Sequence, residues 1–176
     1  MTDGEPAIEI DIRIEAAGWR ASTMSPEGLA KEAARATLID LKIDATAAEL
    51  SILLTDDAAI AALNQQWRDR AGPTNVLSFP GDALADGGTP DGAPVLLGDI
   101  VIAFETVIAE ASAADIPVSD HLRHLVIHGV LHLLGYDHEN DEDAAIMERR
   151  EVEILGTLGV PDPYAAADRR LERAVR

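Results

Sequence analysis

All five histidines of this 176-residue chain lie within 18 consecutive positions: His121, His124, His128, His132 and His138. Three of them belong to the run HGVLHLLGYDH, in which His128 and His132 are four residues apart. Because residues four apart lie one above the other on a helix, both imidazoles can point at one metal ion. Gly135 is placed to end this helix in a left-handed cap, which allows the chain to turn back and bring His138 to the same ion.

Three imidazole ligands predict a catalytic zinc site. Three nitrogens at about 2.0–2.1 Å leave a tetrahedral Zn²⁺ one open position, which is typical of catalytic rather than structural sites. Neutral ligands also leave the full charge of the ion uncompensated, which favours ionisation of a bound water. We therefore predict that His128, His132 and His138 bind Zn²⁺. Asp137 is a candidate acceptor for an imidazole N–H.

The other two histidines can be interpreted in more than one way. His121 and His124 continue the polar side of the same predicted helix, opposite its apolar residues. Either could cap or decorate a buried helix. His124, one turn before His128, could instead contact substrate or orient a metal ligand.

The spacing HxxxHxxGxxH also matches that of the metzincin metalloproteases. Those enzymes carry a glutamate directly after the first histidine as general base, whereas this chain has Gly129 there. A peptidase or amidase would need a carboxylate from elsewhere, such as Glu105 or Glu148. A third hypothesis is a non-catalytic assembly factor in which zinc stabilises the fold.

Arg68 is a second candidate catalytic residue. It ends a predicted helix shortly before a strand, a common location for active-site residues. A guanidinium can bind a phosphate through two parallel hydrogen bonds and stabilise charge as the bond breaks. The residues alone leave open a simpler role as an exposed cation at a helix C-terminus.

Hydrophobic periodicity predicts the elements that position these side chains. Strands are expected near residues 8–14, 49–55, 74–79 and 95–103, and helices near 25–41, 56–68, 104–114, 119–134 and 140–157. The helix after Asp56 should bury Ile60, Leu63 and Trp67. The last two strands should pair across a loop at 81–94. This order predicts an α+β fold, a small mixed sheet of about four strands packed with helices, with a zincin-like central helix carrying HxxxH. We expect one domain over 1–176, with 165–176 as a mobile tail.

Composition limits the possible functions. The chain contains no cysteine, which excludes disulfides and Cys-ligated zinc. Its net charge of −18, from 14 basic and 32 acidic residues, should repel nucleic acid at long range. No apolar run is long enough to span a bilayer, and the N-terminus lacks a signal-peptide pattern, so we predict a cytoplasmic protein without membrane contact.

Three motifs in this order resemble those of the YbeY family of bacterial endoribonucleases and rRNA maturation factors. The first motif runs from Leu63-Asn64 through Arg68 to the TNVLSFP that begins at Thr74. The second is LGDIVI from Leu97, and the third is HLVIHGVLHLLGYDH from His124. The motifs cover about residues 50–164. The resemblance implies a zinc-dependent, single-strand-specific endoribonuclease that matures the 3′ end of small-subunit ribosomal RNA and acts in ribosome quality control. It implies zinc on His128, His132 and His138, and a functional arginine at Arg68.

The leading hypothesis is therefore metal-assisted hydrolysis of RNA, with Arg68 and His128 as catalytic residues. Either an activated water or the 2′-hydroxyl of the RNA could attack. Because of the net charge we predict weak binding to free RNA, helped by Arg68, Arg70 and Arg123. The ribosome or ribosomal proteins would supply the remaining affinity, and neither DNA nor a membrane is an expected partner.

Overall fold

The computed structural model describes residues 7–43, 47–81 and 93–165. Its elements, in chain order, are β1 (Ala7–Ile14), α1 (Ala17–Arg20), α2 (Pro26–Asp40), β2 (Ala47–Thr55), α3 (Asp57–Arg68), β3 (Val76–Pro80), β4 (Val95–Ala103), α4 (Phe104–Ala114), α5 (Val118–Leu133) and α6 (Asp141–Thr157). The predicted α+β fold is confirmed. Only α1 was not predicted, since four residues are too few to show a helical period. Most of the predicted loop 81–94 and tail 165–176 lies outside the described residues.

The strands form one mixed sheet in the order β1-β2-β4-β3. The pairs β1/β2 and β2/β4 are parallel, and β3 runs antiparallel to β4. The predicted pairing of the last two strands is thus confirmed. Since β3 is at the end of the sheet, side chains from other elements can bond to its outer edge.

Apolar residues pack on both faces of the sheet, in a large cluster on one face and a small cluster on the other. Leu50, Ile52 and Leu54 of β2 belong to the main core, which also includes residues of α2, α5 and α6. A smaller cluster on the other face joins Ile60 of α3 to Val101 of β4. This arrangement places α5 in the main core.

The prediction that Trp67 is buried with Ile60 is wrong. Ile60 is fully buried and Leu63 packs against the smaller cluster, but Trp67 is 64% exposed. Its ring packs edge-on against Phe79 of β3, with ring centroids 6.4 Å apart. Because β3 is the last strand of the sheet that the described residues form, no further strand among them covers the final turn of α3.

The helix α5 ends as its sequence predicts. Gly135 has a φ of +93°, and the amide of Tyr136 donates to the carbonyl of Leu131 at 3.0 Å. The amide of Gly135 donates to the carbonyl of His132 at 3.1 Å, which completes a Schellman cap. The cap reverses the chain directly after His132.

Gly129 allows α5 to approach the sheet closely. A Cβ at this position would lie 3.0 Å from two side-chain carbons of Ile100 on β4. We expect Gly129→Ala to lower the free energy of unfolding by about 1–2 kcal/mol, because overpacking outweighs the gain in helix propensity. Gly156→Ala on α6 is the matched control, since nothing lies within 4 Å of its Cβ. It should be neutral or stabilising by up to about 1 kcal/mol in the same urea titration. Equal stabilities for the two variants would contradict this packing.

Within the described ranges, no helix combines the length and the hydropathy needed to cross a bilayer.

Candidate metal centre and active-site cleft

Three histidines converge where α5 ends and the chain turns back. His128 and His132 project from the last two turns of α5, and His138 follows the Schellman cap. The Nε2 atoms of His128 and His132 are 3.1 Å apart. One ring nitrogen from each of the three histidines lies within 4.8 Å of the others. The structure therefore brings together all three predicted ligands.

The donor set suits a metal ion such as zinc. In a tetrahedral site with Zn–N distances of 2.0–2.1 Å, two ligand nitrogens are roughly 3.3 Å apart, close to the spacing of His128 and His132. Burial lowers the pKa of His132, and the like charges that His128 and His138 would carry lower it further. The ring is therefore held in the neutral form that coordinates a metal. The cluster can thus hold a metal ion.

A buried carboxylate that the sequence analysis missed supports this cluster. Glu151 of α6 is 0% exposed. Its Oε1 accepts a hydrogen bond from Nδ1 of His128 at 2.5 Å. Its Oε2 accepts from Nε2 of His124 at 3.0 Å and from the hydroxyl of Tyr164. His128 is therefore hydrogen-bonded to Glu151 through Nδ1, whereas its Nε2 faces His132 in the cluster.

Glu151 is ionised despite its burial. Burial alone would raise its pKa, but hydrogen bonds from His124 and His128, charge attraction to His124 and the bond from Tyr164 lower the pKa to about 2. Burial and the bond to Glu151 raise the pKa of Tyr164, which keeps that hydroxyl protonated as a donor. Asp137, the acceptor expected from sequence, instead accepts the backbone N–H of His138 at 2.6 Å.

A sequence signal for Glu151 exists. It lies on the same stripe of α6 as the buried residues Met147, Ile154 and Leu155, spaced as one helical face. A single carboxylate in an apolar stripe needs a buried partner. Its partners could not be named from sequence, because they come from α5 and from the segment after α6.

Arg68 and the three histidines line one cleft of about 610 Å³. The cleft lies between the end of α3, the strand β3 and the turn that carries His138. Its lining residues are Asn64, Arg68, Arg70, Thr74, Asn75, Val76, Leu77, Ser78, His128, His132, Gly135, Tyr136, Asp137, His138 and Glu139. Nη2 of Arg68 donates to the carbonyl of Ser78 at 3.0 Å. The guanidinium is thus fixed to the outer edge of β3 within the predicted metal cleft.

The chain between α3 and β3 is shaped by a buried amide. Asp69 has a φ of +51° and ends α3 in the left-handed conformation. The side-chain amide of Asn64 donates to the carbonyl of Gly72 at 3.0 Å, and the carbonyl of Asn64 accepts from the amide of Arg70 at 3.3 Å. These bonds hold the connecting segment beside the cleft, with Arg70 in its lining.

The remaining histidines lie outside the cleft lining. His124 contacts Glu151 and Tyr164, which favours a role in orienting a ligand over contact with substrate. His121 interacts through Nε2 with Glu110 at 2.7 Å, and Asn75 donates to the same carboxylate. His121 therefore joins α5 to α4 and to the segment before β3.

Three charged residues that the sequence suggested for RNA binding or as general base also lie outside the cleft lining. Arg123, expected to help bind RNA, is paired with Glu32 and Asp120 instead. Glu105 accepts the backbone amide of Asp57 at 3.1 Å. Glu148 is exposed on α6. Neither carboxylate therefore takes the place of the general-base glutamate that metzincins carry at the position of Gly129.

Comparisons with known proteins identify the family. The model of the family described as endoribonuclease YbeY matches residues 13–159. This chain belongs to the YbeY endoribonuclease family. The endoribonuclease YbeY of Jannaschia sp. is 50% identical over 163 residues, which cover 89% of this chain and 100% of that protein. That of Azorhizobium caulinodans is 50% identical over 159 residues, covering 90% and 97%.

A solved structure supports the fold independently. The solution structure of TM1509 from Thermotoga maritima has a TM-score of 0.53 at 24% identity, covering 92% of this chain and 93% of that one. This similarity concerns the fold alone. The predicted resemblance to the YbeY family is confirmed, and with it the class of hydrolytic nucleases.

Proposed function

We propose that this protein is a zinc-dependent endoribonuclease for single-stranded RNA that acts in the cytoplasm. Its biological substrate would be the 3′ end of small-subunit ribosomal RNA, with a further role in ribosome quality control. The observation that carries the proposal is that His128, His132, His138 and Arg68 line a single cleft. The names of the relatives, all endoribonucleases, favour RNA over a peptide substrate.

The metal would be held by His128, His132 and His138. When bound, zinc supplies Lewis acidity and positive charge at the reacting phosphate. The conversion of His132 to its cationic form is disfavoured by burial, which keeps its lone pair available for an ion. An all-histidine set with no carboxylate leaves the charge of the ion undiminished, which suits an anionic substrate.

Arg68 would bind the scissile phosphate. One of its amino groups is held by the carbonyl of Ser78, so the guanidinium is oriented before substrate arrives. The remaining N–H donors can bind two oxygens of one phosphate and stabilise the charge that develops during cleavage. Ser78 itself acts structurally, since its Oγ donates to the carbonyl of Gly129 at 3.3 Å.

The cleft favours unpaired RNA. A volume near 610 Å³ is in the range that holds a drug-sized ligand, which corresponds to a nucleotide or two. Bases of an unpaired strand can separate and enter such a site, whereas an A-form duplex presents mainly its backbone and minor groove. Two arginines in the lining cannot offset a net charge of −18, so the ribosome or ribosomal proteins would provide further affinity.

A cleavage assay tests the proposal. Zinc-loaded protein should cut a single-stranded RNA, and should leave the same sequence intact as an RNA duplex or as single-stranded DNA. A chelator should abolish cleavage and added zinc should restore it. Cyclic phosphate ends would identify the 2′-hydroxyl as nucleophile, whereas 5′-phosphate ends would identify water. Zinc-loaded protein that cleaves casein but not RNA would overturn the proposal, and nanomolar affinity for free RNA at physiological salt would contradict the account of charge.

A further inference from the structure

We propose that Glu151 is a positioning residue of the metal centre. Together with His124 and Tyr164 it holds the ring of His128 with Nδ1 protonated and Nε2 free to coordinate. This inference rests on the proposed metal site. It adds a role for α6 and for the segment after it, which the three-histidine motif does not include.

The geometry selects one tautomer of His128. A neutral imidazole has one N–H, and the second oxygen of Glu151 already accepts from His124 and from the hydroxyl of Tyr164, which leaves Oε1 as the acceptor that faces His128. With Nδ1 of His128 2.5 Å from Oε1 of Glu151, the proton belongs on Nδ1. The lone pair is then on Nε2, which is 3.1 Å from Nε2 of His132. Such a carboxylate–histidine pair also makes the ring a stronger ligand.

Glu151 is itself fixed by two further donors. Its second oxygen accepts from Nε2 of His124 at 3.0 Å and from the hydroxyl of Tyr164. These partners are an imidazole and a phenol, not a lysine or arginine, and the carboxylate is fully buried. A buried carboxylate is costly unless donors satisfy its oxygens, and here both oxygens of Glu151 accept hydrogen bonds. These bonds fix the carboxylate that holds the ring of His128.

Tyr164 extends the centre beyond α6. The helix ends at Thr157, and the chain then returns so that the Tyr164 ring lies against His124 with centroids 5.6 Å apart. If Tyr164 strengthens the hold on Glu151, zinc binding and docking of this segment must favour each other by the same factor. The segment after α6 is therefore part of the metal centre.

The test compares Glu151→Gln with Glu153→Gln. Both remove one negative charge from α6, but Glu153 is exposed and pairs only weakly with Arg150 at 3.4 Å. A glutamine at position 151 can turn its NH₂ toward Nδ1 of His128 and so stabilise the wrong tautomer. We expect zinc affinity, measured by competition with a chromophoric chelator, to fall about 10- to 100-fold in Glu151→Gln and less than about twofold in Glu153→Gln.

A second readout separates positioning from a general effect on folding. In the zinc-free wild type, nitrogen-15 NMR should show the Nδ1–H tautomer of His128, and in Glu151→Gln a mixture of tautomers. Tyr164→Phe, which removes only the hydroxyl, should weaken zinc binding about three- to tenfold. It should also reduce the protection from amide exchange that zinc gives residues 160–165.

The outcomes distinguish the two proposals. A wild-type protein that binds no zinc would overturn the metal site itself. A wild type that binds zinc, with a Glu151→Gln variant that keeps both the Nδ1–H tautomer and the same affinity, would overturn the role of Glu151 alone.

Discussion

Replacing His128 by Ala is expected to abolish zinc binding at micromolar concentrations and to slow RNA cleavage at least about 1000-fold. The variant would lose one of the three nitrogens proposed to coordinate the metal, and it leaves Oε1 of buried Glu151 without the donor from His128. Loss of the metal removes several kcal/mol of transition-state stabilisation, and each 1.36 kcal/mol corresponds to a factor of ten. Metal analysis and single-turnover cleavage of a labelled RNA measure the two effects.

The control for this variant is another histidine of α5. His121 pairs with Glu110 and lies outside the cleft lining, so His121→Gln should retain zinc and cleavage. Circular dichroism verifies that both variants are folded. A folded His128→Ala protein that still cleaves RNA at the wild-type rate would contradict catalysis at this centre. If the folded His128→Ala protein no longer cleaved RNA but still supported ribosomal RNA maturation in cells, the hypothesis of a non-catalytic assembly factor would be favoured.

Arg68→Ala should separate catalysis from metal binding. We expect kcat/KM for RNA cleavage to fall about 100- to 1000-fold, the usual effect of removing a preorganised donor to a developing charge. Zinc affinity should change less than about threefold, because Arg68 donates to the Ser78 carbonyl and not to a histidine. Steady-state cleavage and chelator competition on the same preparation measure both quantities.

Two further variants make the Arg68 result specific. Arg68→Lys keeps the charge but loses the planar fork, so it should recover less than about tenfold of the lost activity. Arg150→Ala removes the same charge from α6, where Arg150 pairs with Asp40 and Glu153, and should leave cleavage unchanged. If Arg68→Lys kept full activity while Arg68→Ala and Arg150→Ala lost activity equally, Arg68 would act only through net charge.

Features encoded locally could be predicted from the sequence. The helical spacing of His128 and His132, and Gly135 after them, were enough to predict the helix, its cap and the turn toward His138. Alternating residues in β1 likewise predicted a strand, and the position of β3 and β4 on either side of the loop 81–94 predicted their pairing. In each case the determining residues are neighbours in the chain, so their pattern is visible without knowledge of the tertiary structure.

Features that depend on distant contacts could not be predicted. Glu151 accepts from His128 across 23 residues and from His124 across 27, so no local pattern names these partners. Arg123 was expected near RNA, yet its partner Glu32 is 91 residues away. Trp67 has the right helical phase for burial, but its exposure depends on where the sheet ends.

The most direct test of the metal centre is a crystal structure of the zinc-loaded protein with anomalous data at the zinc edge. We predict one zinc ion bound by a nitrogen of each of His128, His132 and His138 at about 2.0–2.1 Å, with a fourth position open to the cleft beside Arg68. Zinc bound elsewhere, or by fewer than three of these imidazoles, would contradict the proposed catalytic centre.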